Sequence, residues 1–248
     1  MGRFRVVRNL AAASVLILPL FVSPAVAQSS LPAGFYVRGD AGGAFEQNIT
    51  FKDTNPNAPN CDLCGDVFPS STGNSVFLGA GVGYRLTPSF RADLTFDYLT
   101  PVKVNGQSTG AAPSTASADF DSAIALVNGY FDLAGAFPDS FGPFQPFVSV
   151  GIGVARNHLG TTTGVSTLIG SFTLEAHSRM NFAWAIGAGV GYVLTPRLTM
   201  ELAYKYVDTG QVRNGATLTA GGASFELTPS KTGDLGVHAV TVGLRYGF

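Results

Sequence analysis

The chain has 248 residues, of which 31 are glycine, 11% are aromatic and only 12% are charged. Its formal net charge is −1, and a protein that binds nucleic acid needs a basic face, so the charge argues against a nucleic-acid partner. Beyond the N-terminal segment, no run reaches the 18 or so uninterrupted apolar residues of a membrane helix. The length and the glycine content fit one all-β domain.

Residues 1–27 have the features of an export signal. Three arginines in the first nine residues precede an apolar run over residues 10–22, and Ala25-Val26-Ala27 offers a small-x-small cleavage pattern. The alternative is a transmembrane anchor, but a helix needs about 20 apolar residues to cross a bilayer and this run is shorter. We therefore expect a cleaved signal peptide over 1–27 and one mature domain over 28–248. Cleavage removes three of the 15 basic residues and none of the 16 acidic ones, which leaves a net charge of −4.

Alternating apolar and polar residues predict eight strands, at 34–45, 74–86, 90–99, 120–133, 144–155, 179–194, 197–207 and 235–248. The connections between them alternate in length. The long ones are polar and cover 46–73, 100–119, 156–178 and 208–234; the short ones are turns at Thr87-Pro88-Ser89 and Thr195-Pro196 and a somewhat longer link near 134–143. Long loops at one end of the array and short turns at the other are typical of an outer-membrane barrel.

The first long connection contains Cys61 and Cys64 in a stretch rich in Asn, Pro and Ser. This spacing is compatible with a redox motif, half of a zinc site or a local disulfide. The redox interpretation needs a βαβ context that is absent here, and no second Cys or His pair lies nearby to complete a zinc site. In an exported chain we expect a local disulfide, which would stabilise so short a loop by only about 2 kcal/mol in the chain-entropy model.

An internal repeat supports the pairing of the strands. Residues 78–98 and 186–206 align at an offset of 108, with GAGVGY and LTP identical and Asp93 at the position of Glu201. Both copies predict a hairpin whose proline lies in the turn, where a fixed φ is favourable. Because no helix follows these glycine runs, they do not indicate a nucleotide site.

The alternation sorts the strand residues into an apolar face and a polar face. The polar face is rich in glycine and carries five basic and five acidic residues: Arg38, Asp40, Arg85, Arg91, Asp93, Asp97, Asp132, Glu201, Lys205 and Arg245. A soluble barrel would bury its apolar face, whereas a membrane barrel turns that face to lipid and keeps polar residues inside. The balanced charges favour the membrane barrel, because they can pair inside a narrow lumen.

Aromatic residues on the apolar face lie near the strand ends and predict two girdles at the lipid interfaces. The members are Tyr84, Phe90, Tyr192, Tyr246 and Phe248 near the turns, and Phe45, Tyr98, Trp184 and Tyr206 near the loops. Closure of the strands would also satisfy the backbone hydrogen bonds of every strand in lipid. The sequence therefore predicts an all-β fold, an eight-stranded antiparallel up-and-down transmembrane β-barrel.

Several motifs resemble those of the OmpA-type outer-membrane β-barrel proteins, the small porin-family barrels of proteobacteria. They are VNGYFDL at 127–133, the GAGVGYxLTP hairpins and the terminal GLRYGF, and the resemblance covers residues 28–248. It implies a place in the outer membrane of a Gram-negative cell envelope, in contact with outer-membrane lipid and lipopolysaccharide. It also implies that the outer-membrane assembly machinery reads the C-terminal strand, with Phe248 as the signal. No sequence follows the barrel, so we expect no peptidoglycan-binding domain.

We expect this barrel to have a structural or surface role with at most a narrow pore for small solutes, because side chains nearly fill an eight-strand lumen. The alternative is recognition through the long loops, as an adhesin, a receptor or a ligand binder. A lipid-modifying enzyme would need a histidine oriented by an acid beside a serine nucleophile. His158 and His177 lie in the third long loop, and His238 has no serine at matching spacing. We expect no enzyme activity, no cofactor and no metal site, and the sequence names no surface partner.

Overall fold

The structure is a computed structural model that describes residues 34–46, 51–52, 67–72, 74–108, 113–213, 215–226 and 231–248. In chain order the elements are β1 (Gly34–Glu46), β2 (Phe51–Lys52), β3 (Val67–Thr72), β4 (Ser75–Arg85), β5 (Phe90–Ser108), β6 (Ser114–Asp132), α1 (Leu133–Ala136), β7 (Phe144–Leu159), β8 (Thr162–Ser166), β9 (Gly170–Leu174), β10 (His177–Val193), β11 (Leu198–Arg213), β12 (Thr217–Ala220), β13 (Ala223–Glu226) and β14 (Lys231–Gly247). Among the described residues, no helix has the length and apolar character needed to cross a membrane.

Eight long strands form a closed antiparallel ring in the order β1, β4, β5, β6, β7, β10, β11 and β14. The last strand pairs with the first, from Tyr36 opposite Gly247 to Glu46 opposite Val237, so the ring has no free edge along this seam. The prediction of eight antiparallel strands is confirmed. Closure pairs the backbone groups of every strand, which is the condition for crossing a bilayer with strands.

The two repeated hairpins fold alike, as the sequence predicts. Val82 lies opposite Leu94 in one hairpin, and Val190 lies opposite Leu202 at the equivalent positions of the other. In the first turn, the Thr87 hydroxyl accepts hydrogen bonds from two backbone amides that follow it. The threonine and the proline of each turn therefore fix the same short connection twice.

Several strands continue well beyond the predicted ends. β5 runs to Ser108 and β6 begins at Ser114, so the prediction of a long loop over 100–119 is wrong for most of that segment. The two strands stay paired past a bulge between Leu99 and Val102, after which Val102 lies opposite Phe120. The extension was not predicted from the sequence because the outward-facing residues of this hairpin are polar, as loop residues are. Its inward-facing residues remain apolar.

Short strands extend the wall further at the same end of the ring, which we call the loop end. β8 pairs with the start of β6, and β9, β12 and β13 follow in a continuous antiparallel sheet. On the other flank, β3 pairs with the end of β5, and β2 joins β3 to β14. Of the residues that the structure describes, the opposite end, the turn end, carries the two tight turns, the segment with α1, the start of β1 and the last residue of the chain.

The outward face of the ring is a belt of exposed apolar side chains, which include Val82, Leu94, Phe96, Val127, Val150, Ile152, Ile186, Leu202, Val242 and Leu244. Each is more than 50% exposed, far beyond what scattered surface residues explain. Such a belt around a closed ring is the surface that a bilayer covers.

Candidate functional site

The ten charged residues predicted to point inward all lie inside the ring, toward the turn end. None is more than 8% exposed. Nine ion pairs of 2.6–3.9 Å join all ten into one connected network. Five positive and five negative charges therefore neutralise one another within the lumen, where any unpaired charge would be costly.

Glu201 is the centre of this network. Its carboxylate lies 2.8 Å from Arg245 Nε, 3.3 Å from Arg91 Nη2 and 3.6 Å from Arg38 Nη2. Asp132 continues the network by pairing with Arg91 at 3.1 Å and with a further arginine near the turn. The Glu201 carboxylate on β11 thus contacts guanidinium groups from three other strands, β1, β5 and β14.

Arg38 links the centre to a second group of acids. It contacts Asp40 at 2.6 Å and Asp93 at 3.5 Å, and Lys205 then bridges Asp40 and Asp97 at 3.9 Å. This second group lies on the side of the network nearer the loop end.

Neutral side chains complete the polar layer. The Asn128 amide donates to Asp93 at 2.8 Å, and the Tyr130 hydroxyl accepts a hydrogen bond of 2.7 Å from Arg38. The Arg91 guanidinium lies 4.0 Å from the centre of the Tyr130 ring and 4.9 Å from that of Phe147. These aromatic contacts fill the space between charged groups and favour the cation electrostatically.

Glycines make room for the charges. A Cβ atom at Gly79 would overlap the carboxylate of Asp97, and one at Gly243 would overlap that of Asp40. Four of the six glycines in the repeated hairpins lie opposite a charged residue, for example Gly191 opposite Glu201. The high glycine content of the polar face therefore follows from the volume of the network.

Nearer the loop end the interior contains a small buried polar group, Ser122, Asn157 and Thr209. The rest is an apolar zone, which was not predicted from the sequence. Its buried members include Phe77, Leu99, Val102, Val104, Phe120, Ile124, Leu126, Val207, Val212, Leu235 and Val237. Phe77 lies at the boundary of the two zones, with Lys205 Nζ 5.3 Å from its ring centre. Consecutive apolar residues such as Val76, Phe77 and Leu78 were the available signal, because strict alternation stops where both faces are apolar.

The aromatic residues form bands at both ends of the belt. At the turn end, four pairs stack at 4.9–5.5 Å between ring centres: Phe35 with Tyr84, Phe90 with Phe131, Phe144 with Tyr192, and Tyr246 with Phe248. Phe35, Phe131 and Phe144 were not predicted as members. At the loop end, Trp184 and Tyr206 lie 5.4 Å apart, beside His238, and Tyr98 and Phe45 lie on the same outward face.

The predicted disulfide partners, Cys61 and Cys64, lie outside the described residues.

The loop-end rim brings together three residues of hydrolase chemistry that are distant in sequence. Register places Asp121, His158 and Ser178 in one outward-facing row across β6, β7 and β10. His158 Nδ1 lies 2.8 Å from Ser178 Oγ, and Arg156 Nη2 donates to the same oxygen at 3.4 Å. The Asp121 carboxylate, however, is hydrogen-bonded to the hydroxyl of Tyr98. Within the described residues, no cluster of three His, Cys, Asp or Glu side chains has the geometry of a metal site.

Comparisons with known proteins agree with this architecture. The sequence matches the family model of the outer membrane protein beta-barrel domain over residues 13–248. Outer membrane protein PagN of Salmonella typhimurium is 30% identical over 215 residues, covering 80% of this chain and 84% of PagN. A putative adhesin of Rickettsia felis is 27% identical over 249 residues, covering 96% of each chain. The outer membrane protein OprG from Pseudomonas aeruginosa has a similar fold, with a TM-score of 0.50 and 14% identity over 89% of this chain and 99% of OprG.

Proposed function

Since this chain belongs to the outer membrane protein β-barrel domain family, we propose that it acts at the cell surface as a structural barrel, with a lumen that passes at most small solutes. The protein is an integral β-barrel of the outer membrane. Its apolar belt contacts lipid and lipopolysaccharide in this proposal, and its long loops face the outside of the cell.

The filled interior carries the proposal. The charged network occupies the zone near the turns and the apolar cluster occupies the zone near the loops. Water would have to displace paired charges in the first zone and close-packed side chains in the second. Both displacements are unfavourable, since one leaves buried charges unpaired and the other opens a cavity.

Conductance across a planar bilayer tests this proposal. We expect the folded protein to show no stable large channel. The variant Phe77→Ala/Leu99→Ala should conduct more, because both side chains are fully buried in the apolar zone and lie opposite each other. Phe96→Ala/Leu94→Ala is the matched control, with the same residue types on the lipid-facing side. A large open channel in the unmodified protein would overturn the proposal.

The proposal includes the absence of enzyme activity. The row at the rim supports this reading, because the acid that would orient His158 is bonded to Tyr98 instead. A histidine without such an orienting group is a weak general base for a serine nucleophile. The pair of His158 and Ser178 is then an ordinary exposed hydrogen bond.

The biogenesis of the protein belongs to the same proposal. Residues 1–27 serve as a cleaved signal peptide, Cys61 and Cys64 form a local disulfide, and the assembly machinery reads the C-terminal strand. Phe248 supports the last point by its position: its ring is exposed and stacks on Tyr246, and its backbone amide donates to the Phe35 carbonyl at the β1–β14 seam. The terminal aromatic therefore lies where the barrel closes.

A second candidate function is adhesion through the loops. Leu168 and Ile169 are exposed at the turn between β8 and β9, and Phe225 is exposed on β13. Apolar side chains at the tips of otherwise polar loops are a feature of protein-binding surfaces. The relative from Rickettsia felis carries the name of a putative adhesin, which fits the same reading.

A further inference from the structure

A row of hydroxyl and amide side chains crosses the sheet that extends the barrel at its loop end. Strand register places its members directly opposite one another, in the order Asn105, Ser117, Thr163, Thr173, Thr219 and Ser224. All six are exposed or half-buried. Neighbouring strands are about 4.8 Å apart, so the row is about 24 Å long.

The row lies on the same side of the wall as the lipid-facing belt. Along β6, Ala118 and Phe120 are buried toward the interior, and Ser117 and Asp119 alternate with them on the outward side. This alternation continues without interruption down to Val127 in the belt. The hydroxyl row is therefore a direct upward continuation of the surface that contacts lipid.

The height of the row can be worked out from β6. Ala123 lies opposite Tyr98 of the loop-end aromatic girdle, and Ser117 is six residues farther along the strand. A strand rises about 3.3 Å per residue and is tilted by about 40° in a barrel, so Ser117 is about 15 Å above the girdle. That distance lies beyond the lipid headgroups, on a face directed sideways along the membrane.

The chemistry of the outward surface changes with height. The apolar belt comes first, and the aromatic residues and the exposed guanidinium of Arg156 lie at its upper rim, with Arg156 opposite Ala123. Above that level the outward face of β6 carries Asp121, which is bonded to Tyr98, and Asp119, which lies opposite Lys103. The hydroxyl row follows above and carries no charge. The acyl chains of a surrounding lipid thus face the apolar belt, and its neutral sugars reach the height of the row.

We infer that the hydroxyl row binds the saccharide of the lipopolysaccharide that surrounds the barrel. Serine and threonine hydroxyls and the asparagine amide both donate and accept hydrogen bonds, as sugar hydroxyls do. The sideways orientation favours a neighbour in the same membrane over a ligand arriving from outside. The inference rests on the proposed place of the loop end outside the cell.

The alternative explanation of the row is sheet stability alone. Threonine is favoured on water-facing strands, and cross-strand hydroxyl pairs stabilise a sheet, as between Thr219 and Ser224, whose hydroxyl oxygens are 3.1 Å apart. Thr→Val substitution separates the two explanations. Valine keeps the β-branched shape and has a methyl group in place of the hydroxyl, so it cannot form the hydrogen bonds.

The experiment uses the full-length folded barrel and two probes, purified lipopolysaccharide with its core oligosaccharide and the matching lipid A without sugars beyond its own. Binding is measured by native mass spectrometry in detergent. We expect the unmodified protein to prefer lipopolysaccharide and Thr163→Val/Thr173→Val to lose about tenfold in affinity for it, from two lost hydrogen bonds, with lipid A unaffected. Thr162→Val is the control, since Thr162 is the neighbour of Thr163 on the other face of β8.

Three results would overturn the inference: equal binding of both lipids by the unmodified protein, an undiminished preference in the double valine variant, or tight binding of a soluble host glycan without any preference for lipopolysaccharide. Heat-modifiable mobility of each variant on a denaturing gel verifies that the barrel is folded. The conductance of the same samples is independent of this test, so failure of the saccharide site and failure of the structural role can be told apart.

Discussion

Replacing Glu201 with glutamine removes one negative charge from the interior network and leaves the side-chain volume nearly unchanged. Glu201 is 2% exposed and contacts Arg38, Arg91 and Arg245 within 3.6 Å. Removing one member of a buried ion pair costs about 3–5 kcal/mol, because its partner stays charged and unpaired. Glutamine retains one acceptor oxygen for Arg245, so we expect a loss of about 3 kcal/mol, or roughly a hundredfold in the folding equilibrium.

Unfolding by urea in lipid vesicles measures this loss, with heat-modifiable mobility as the readout of the folded barrel. The free energy of unfolding follows from linear extrapolation to zero denaturant. Glu226→Gln is the matched control, because Glu226 is exposed on β13 and its substitution should change the stability by less than about 0.5 kcal/mol. The double variant Glu201→Gln/Arg245→Gln restores the charge balance. Its loss in the free energy of unfolding should be smaller than the sum of the losses of the two single variants.

If Glu201→Gln unfolds at the same urea concentration as Glu226→Gln, the Glu201 charge does not stabilise the folded barrel. That result would mean that water or a neighbouring acid compensates the three arginines without cost. Additive losses in the double variant would contradict a narrower point, namely that Glu201 and Arg245 stabilise the barrel through each other.

Two further predictions concern the loop end. Overexpression of the protein and of Ser178→Ala should give the same profile of lipid A and phospholipid by mass spectrometry, and a deacylated lipid that depends on Ser178 would contradict the absence of enzyme activity. If the loops mediate adhesion, Leu168→Ser/Ile169→Ser should reduce attachment of barrel-bearing cells to host cells several-fold, whereas Leu194→Ser at the turn end should not; equal attachment by all three proteins would exclude the second candidate function.

The polar face could be predicted from the sequence because it alternates strictly with the belt. The outward-facing residues between Asp93 and Asp97 are apolar. The same holds for those between Glu201 and Lys205 in the second hairpin. A period of two assigns such residues to one side without any knowledge of the partner strands. The turns followed from threonine and proline at fixed positions.

Alternation alone could not separate the apolar zone of the interior from the belt; only runs of consecutive apolar residues indicated it. In the segment of β4 from Val76 to Leu78, inward and outward residues are equally apolar, so the period of two carries no signal. Contacts that depend on the register between strands could not be predicted from the sequence either. His158 and Ser178 lie in the predicted third loop, and only the pairing of β7 with β10 brings them together. The hydroxyl row needs five successive pairings before it becomes a surface.

The network also accounts for how the ring stays closed. Arg91 and Glu201 are 110 positions apart in sequence and lie on strands that are not neighbours, so their ion pair acts across the lumen. Arg245 adds a second such link, because its guanidinium contacts Gln145 of β7 at 3.1 Å as well as Glu201. A slip of one residue in any of these strands would turn the charges toward lipid, which makes the paired register strongly preferred. With its ten interior charges paired in this way, the barrel leaves the outward rim and the loops as the surfaces open to partners.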